Sequence, residues 1–383
     1  MNKKLKKFNY LKWVVDILFL VVLYFPIFMF IESIGGSVFE TSNGDFVTYM
    51  LIVVLVGLAI YYLLNLFSII WHELGHLVFG LKAKFEFISF NVLSFNFTVK
   101  DGKLSVKKEG KLPGNVLGYC NMTLSDDKNV DKKSIIMYFM GGITFNIIAA
   151  LVSFILFLVI KSEVIDSIIL LNLVLNIYYA IHNSIPLVLK SGNPTDALHC
   201  LYSLEDDTYF SSVSKIQLVN KMIANGVALE DIDDDLFVKP KNIDSKSNVM
   251  AAQLYMDYLV AHDKYKECAS FIEEVLEKGS ELLTKQDASL IKFQLLNCYF
   301  ELNRVEDIKD YWNEDDTKFL EFISKLAPTF IVFGYMYFEL VEKDKDNSKK
   351  YLDMFNKIDK KKNDEKTYKE LEEIMDKINK SIS

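Results

Sequence analysis

His72, Glu73 and His76 stand in the order His-Glu-Leu-Gly-His near the end of a long apolar stretch. Four residues apart on a helix, the two imidazoles share one face and can reach one metal ion. Glu73, one step from His72, is placed to act on water held by that ion. Zinc lowers the pKa of a bound water toward roughly 7 and polarises a carbonyl, while a carboxylate beside it can carry the proton to a leaving amine. That is the chemistry of peptide hydrolysis. A five-residue pattern with three fixed positions arises by chance in many proteins, but an apolar run does not gather two His and a Glu cheaply. Ionisable groups in hydrocarbon are costly unless paired or functional.

A catalytic zinc site takes three protein ligands and keeps one position open. The remaining histidines are His182, His199 and His262. His182 and His199 bracket the end of the last apolar run, with Asp196 between them, so that segment supplies the candidates for the third ligand. His262 lies in the polar half of the chain and reads as a surface residue.

Four apolar runs must position these groups. The first, 13–31, follows Lys3, Lys4, Lys6, Lys7 and Lys12, contains Pro26, and is long enough to cross a core of about 30 Å. No small-residue cleavage site follows it, so it reads as a retained anchor rather than a signal peptide. The others cover 47–80, 134–160 and 167–189, and the second is longer than one crossing needs, with HELGH in the surplus. The loop 32–46 has no lysine and 161–166 has Lys161 alone, whereas 81–133 has ten. Positive charge stays inside. The N-terminus, the 81–133 segment and everything after the fourth run are therefore expected in the cytoplasm, with the two histidines near that face. Trp71 reads as an interfacial anchor, and Gly141-Gly142 as a pair that lets two spans approach closely.

Within 81–133, Phe85, Phe87, Phe95, Phe97 and Val99 alternate with other residues before Asp101-Gly102 and the strand-like 103–107. Asp-Gly between alternating runs predicts a β-hairpin. Its apolar edge can lie against the membrane near the metal, where its backbone could pair with an extended substrate. Residues 1–204 carry a net charge of +3 and 205–383 a net of −11, so an acidic, water-soluble half follows a membrane half, and nucleic acid is excluded as its partner. That acidic half has helical periodicity. Asp263-Lys264-Tyr265 aligns with Asn303-Arg304-Val305 at an offset of 40, longer than the tetratricopeptide period of about 34. The four cysteines form no CxxC pair, which argues against a disulfide framework and a thiolate zinc site.

HELGH at the end of one span, Gly141-Gly142-Ile143-Thr144-Phe145-Asn146 in the next, and Asn183-x-x-Pro186 leading to Asp196 resemble the site-2 protease family of intramembrane metalloproteases, peptidase family M50, over about residues 47–200. The family's Asp-Gly is Asp196-Ala197 here, and the step from Pro186 is longer. The resemblance implies that His72, His76 and Asp196 bind Zn2+ and that Glu73 is the catalytic base. It also implies that Asn146 and Asn183 position substrate or stabilise the oxyanion.

The expected fold is mainly α. It comprises an anchor helix and extracytoplasmic loop (1–46), a polytopic membrane metalloprotease core with a cytoplasmic β-hairpin (47–204), and a soluble α-helical domain of tetratricopeptide-like hairpins (205–383). The expected function is zinc endopeptidase action on membrane-embedded or membrane-proximal peptide bonds near the cytoplasmic face. Its expected partners are the lipid bilayer, a membrane protein or peptide substrate and a protein held by the helical domain. The competing expectation is a non-proteolytic scaffold or immunity-type protein that binds partners through that domain; a metal transporter fits less well.

Overall fold

The computed structural model describes the chain except for residues 1–2, 42–44, 101–102, 109–117, 125–130, 190–193, 207, 225, 326, 359–364 and 383. The chain divides into two compact units, Met1–Lys221 and Met222–Ser383.

The first unit is built on four helices: α1 (Lys3–Thr41), α2 (Phe46–Lys82), α3 (Lys132–Val159) and α4 (Glu163–Asn183). Each contains a stretch long and apolar enough to cross a membrane. Leu55 and Leu63 of α2, like Leu151 and Ile155 of α3, leave most of their surface open on the outside of this bundle, which suits a lipid solvent and not water. At ~1.5 Å per residue α2 is about 55 Å long, well beyond one hydrocarbon core. HELGH occupies its last third. Asp45 caps α2 and Asp131 caps α3, each accepting backbone N–H groups of the first turn. The fourth helix stops at Asn183, six residues before its apolar run ends, because Ile185 precedes Pro186 and is pushed out of the helical region.

Between α2 and α3 lies a four-stranded antiparallel sheet rather than a lone hairpin. Its strands are β1 (Phe85–Val92), β2 (Phe95–Lys100), β3 (Lys103–Lys108) and β4 (Gly118–Leu124), in the spatial order β3-β2-β1-β4. The β2–β3 hairpin closes on the Lys100–Lys103 pair, as the alternation predicts; its Asp101-Gly102 lies outside the described residues. The apolar alternation over 85–99 is broken in the middle by a two-residue turn at Leu93-Ser94, with Leu93 at φ 57°. Neither residue is one that marks such a turn in a sequence. Phe95, Val99, Leu104 and Val106 share one face of the hairpin and are exposed.

Two short helices follow α4: α5 (Asp196–Glu205) and α6 (Tyr209–Ala224). Composition places a boundary at 204/205, yet the start of α6 is buried with the first unit. Phe210 stacks on Phe85 at 5.0 Å, and both join a core with Cys120, Met122, Tyr138 and Phe139.

The second unit contains α7 (Lys246–Ala261), α8 (Tyr265–Lys278), α9 (Lys285–Glu301), α10 (Glu314–Ile323), α11 (Pro328–Met336), α12 (Lys345–Asn356) and α13 (Glu365–Ile382), with a 3-10 segment (Val305–Asp310) after α9 and a π segment (Tyr337–Val341) after α11. They enclose one apolar core that includes Leu259, Ile272, Phe293, Val332 and Tyr351. The residues aligned in the sequence, Asp263 and Asn303, both adopt the left-handed conformation, at φ 54° and 56°. In each case the next amide bonds five residues back, Lys264 to Leu259 at 2.8 Å and Arg304 to Tyr299 at 2.7 Å. Asp and Asn tolerate this conformation better than other residues with a Cβ. The repeat in the sequence is thus a repeat of helix endings.

Candidate metal centre

The centre begins with how closely α2 and α3 meet. A Cβ on Gly75 would lie 2.3 Å from the Gly141 carbonyl oxygen, and one on Gly141 would lie 2.4 Å from the Gly75 oxygen. The two backbones touch. Small residues allow such contact between membrane helices, and Gly141 serves that purpose here. Trp71, expected as an interfacial anchor, donates its indole N–H to the Phe145 carbonyl at 2.8 Å and ties the same pair of helices together.

This contact sets the histidine tautomers. His76 Nδ1 lies 2.9 Å from the Tyr138 carbonyl, which can only accept, so Nδ1 carries the hydrogen. His72 Nδ1 lies 2.6 Å from Asn146 Oδ1. Asn146 Nδ2 donates to the Ser68 carbonyl at 3.1 Å and to Asn176 Oδ1 at 2.9 Å, so its oxygen is the atom that faces His72. With the hydrogen held on Nδ1, each imidazole in its neutral form presents a bare Nε2. The two Nε2 atoms are 3.2 Å apart.

Asp196 completes a triangle: its Oδ2 is 3.1 Å from His72 Nε2 and its Oδ1 is 3.3 Å from His76 Nε2. The Oδ2 atom is buried against the histidines. Three electron-pair donors thus face one another at the spacing of a tetrahedron's edge, about 3.3–3.4 Å for ligands ~2.0–2.1 Å from a central ion. A cation suits that arrangement. His72 and His76 are buried, and the Asp196 side chain keeps 14% of its surface exposed. Burial raises the Asp196 pKa, but the charge and hydrogen bonds that the two imidazoles offer when protonated outweigh it and hold the carboxyl below its ordinary value. His72, His76 and Asp196 are the group, among the described residues, that could hold a metal ion.

The loop before α5 delivers Asp196. Thr195, 2% exposed, donates its hydroxyl to the Ile185 carbonyl at 2.8 Å and accepts the Leu187 N–H at 3.1 Å. Its own N–H bonds the Leu187 carbonyl at 2.9 Å. One side chain thus closes the segment after Pro186 on itself and leaves Asp196 as the first residue of α5. Thr195→Val should loosen this closure and lower metal affinity by about tenfold, the low end for residues that orient a ligand, while Thr195→Ser stays close to the parent. Chelator competition on the purified protein reads the difference.

The other candidates are occupied elsewhere. The His199 ring lies flat on Phe139 at 4.5 Å and shares a hydrogen bond of 2.9 Å with the Tyr209 hydroxyl. Burial pushes its pKa down to about 4, so it stays neutral. His182 lies against Tyr178, and Asn183 donates back to the Tyr179 carbonyl at 3.1 Å within its own helix. Asn146 has both carboxamide atoms committed to His72, Ser68 and Asn176, so in this arrangement it orients an imidazole. Glu73 is buried beside the triangle and turns toward β4. A Cβ on Gly118 would come within 3.1 Å of its Cγ, and the Cys120 backbone N–H bonds its carboxylate.

Tyr138, Thr195, Ser68 and Asn176 carry parts of the site that the motifs did not indicate. The signal for two of them is periodic: Asn65, Ser68, His72 and His76 fall on one face of α2, and Asn172, Asn176 and Tyr179 on one face of α4. No family model, curated protein or solved structure matches this chain.

Proposed function

We propose that the chain is an intramembrane zinc endopeptidase of the site-2 protease kind. The observation that carries this reading is the convergence of His72 Nε2, His76 Nε2 and the Asp196 carboxylate, with the two nitrogens 3.2 Å apart and the two carboxylate oxygens 3.1 and 3.3 Å from them, and Glu73 next along the helix. The donor set of two imidazoles and one carboxylate is one that zinc hydrolases use, and it leaves a coordination position open. Zinc bound there supplies a Lewis acid that polarises the scissile carbonyl and activates water. Glu73 takes the proton from the attacking water and returns it to the departing amine nitrogen. Asn146 and the Tyr138 carbonyl hold the imidazoles in the tautomer that the metal needs.

The lysine distribution supports an orientation in which both termini and the sheet face the cytoplasm. Substrates in this reading are membrane-anchored proteins or peptides cut at or near that face. The exposed apolar face of the β2–β3 hairpin then rests on the bilayer. The second unit, as a set of tetratricopeptide-like hairpins, receives a protein partner or selects the substrate.

Zinc removal tests the reading. The purified chain in detergent or nanodiscs should contain one zinc per molecule, lose endopeptidase activity on membrane-anchored peptides when stripped by a chelator, and regain it with zinc. Cleavage that persists in the stripped protein, or a chain that takes up no zinc, sinks the proposal.

A further inference from the structure

We infer that Asn176, on α4, is a positioning residue of the metal centre. By accepting a hydrogen bond from Asn146 it keeps that carboxamide oxygen toward His72, and so keeps the proton off His72 Nε2. The inference rests on the metal-centre reading above.

A carboxamide can sit in either of two orientations that differ by exchange of its nitrogen and oxygen. With Asn146 Oδ1 toward the ring, His72 carries its hydrogen on Nδ1 and offers Nε2 as a lone pair. Turned over, Asn146 Nδ2 would donate to Nδ1, and the ring hydrogen would move to Nε2, which could then no longer bind metal. The choice is made on the far side of Asn146. There Nδ2 meets two oxygens, the Ser68 carbonyl at 3.1 Å and Asn176 Oδ1 at 2.9 Å. Turning the group over would set its oxygen against both.

Asn176 has the same ambiguity, and its own neighbours remove it. Its Nδ2 faces the Asn172 carbonyl at 2.9 Å, Asn172 Oδ1 at 3.2 Å and Ser68 Oγ at 3.0 Å. Asn172 in turn donates through Nδ2 to Ser153 Oγ at 2.8 Å, which leaves its oxygen for Asn176. The orientation at His72 is therefore set by two main-chain carbonyls that cannot be turned over, that of Ser68 directly and that of Asn172 through Asn176. Asn146 and Asn176 are fully buried, shut off from bulk solvent.

The test uses the full chain in nanodiscs, with zinc affinity from chelator competition and the visible absorption of the Co2+-loaded protein as a second readout. Asn176→Leu should lower zinc affinity by about 10–100-fold and alter the Co2+ spectrum. Asn176→Asp, as the neutral acid that full burial favours, keeps an oxygen toward Asn146 and a hydroxyl toward the Asn172 carbonyl, and should stay within about threefold of the parent. In an Asn146→Asp background both outer atoms are oxygen, orientation no longer matters, and Asn176→Leu should have no further effect. Parental affinity and spectrum in Asn176→Leu overturn the inference, and so does a loss in Asn176→Asp as large as that in Asn176→Leu. If Asn176→Leu fails to assemble, Asn176→Asp decides alone: affinity near the parent supports the relay and a loss of tenfold or more overturns it. A parent chain that binds no zinc would instead refute the metal centre itself, before any variant is compared.

Discussion

Glu73→Gln is expected to keep one zinc per chain and the parental stability while lowering peptide cleavage by about 10²–10⁴-fold, the usual contribution of a positioned acid–base group. Glu73 is not among the three converging donors, so its replacement leaves the metal held. The space it occupies against Gly118 admits a side chain of the same shape, and a glutamine oxygen can still accept the Cys120 N–H. What Gln cannot do is take a proton from water. The measurement pairs metal content with the accumulation of uncut membrane-anchored proteins in cells that carry only the variant. If zinc and cleavage both persist, hydrolysis does not depend on Glu73 and the mechanism is wrong. If the cellular phenotype persists while cleavage is lost, the biological role is that of a scaffold.

Gly142→Ala should remove metal binding and largely spare the fold. A Cβ there would lie 2.4 Å from His72 Nε2 and 2.6 Å from His76 Nε2, in the space the metal and its open ligand position need. The rings have no easy way to retreat, because Asn146 and the Tyr138 carbonyl hold them by Nδ1. A loss of about 100-fold or more in zinc affinity is expected, at or beyond the upper end for changes behind the ligands. Gly57→Ala is the control, since its Cβ would meet only Phe30 at 3.9 Å, an ordinary contact. Gly141→Ala should behave differently again, because its Cβ would strike the Gly75 backbone and force α2 and α3 apart, costing stability along with the metal. Parental zinc affinity in Gly142→Ala would mean that the ion, if any, sits elsewhere.

The two glycines show why part of this site was legible in the sequence and part was not. HELGH is local: its spacing and a helical period place both imidazoles on one face whatever the rest of the chain does. Gly141-Gly142 could be read as a close-approach pair, but that the second glycine makes room for imidazoles depends on the register between α2 and α3, which no local pattern encodes. The same holds for Tyr138, whose contribution is a main-chain oxygen that any residue possesses. Thr195 escapes notice because a β-branched hydroxyl residue in a loop is commonplace until its partners at Ile185 and Leu187 are known. Apolar runs reveal spans well, since length and hydropathy suffice, but they overran the end of α4, where a proline and not hydropathy ends the helix. The sheet was half legible: Asp101-Gly102 marks one turn, whereas Leu93-Ser94 marks nothing, and β4 lies beyond a stretch with no alternation.

Asp196 reaches the histidines from about 120 residues further along the chain. During synthesis at roughly 5–20 residues per second, some 6–24 seconds separate the appearance of His76 from that of its carboxylate partner. By then α3 and α4 have also been made, so the nascent chain carries the two histidines of the proposed centre without its carboxylate. In the proposed reading, hydrolytic capacity arrives only once α5 has been made, and a growing chain is spared its own chemistry by the order in which its ligands are translated.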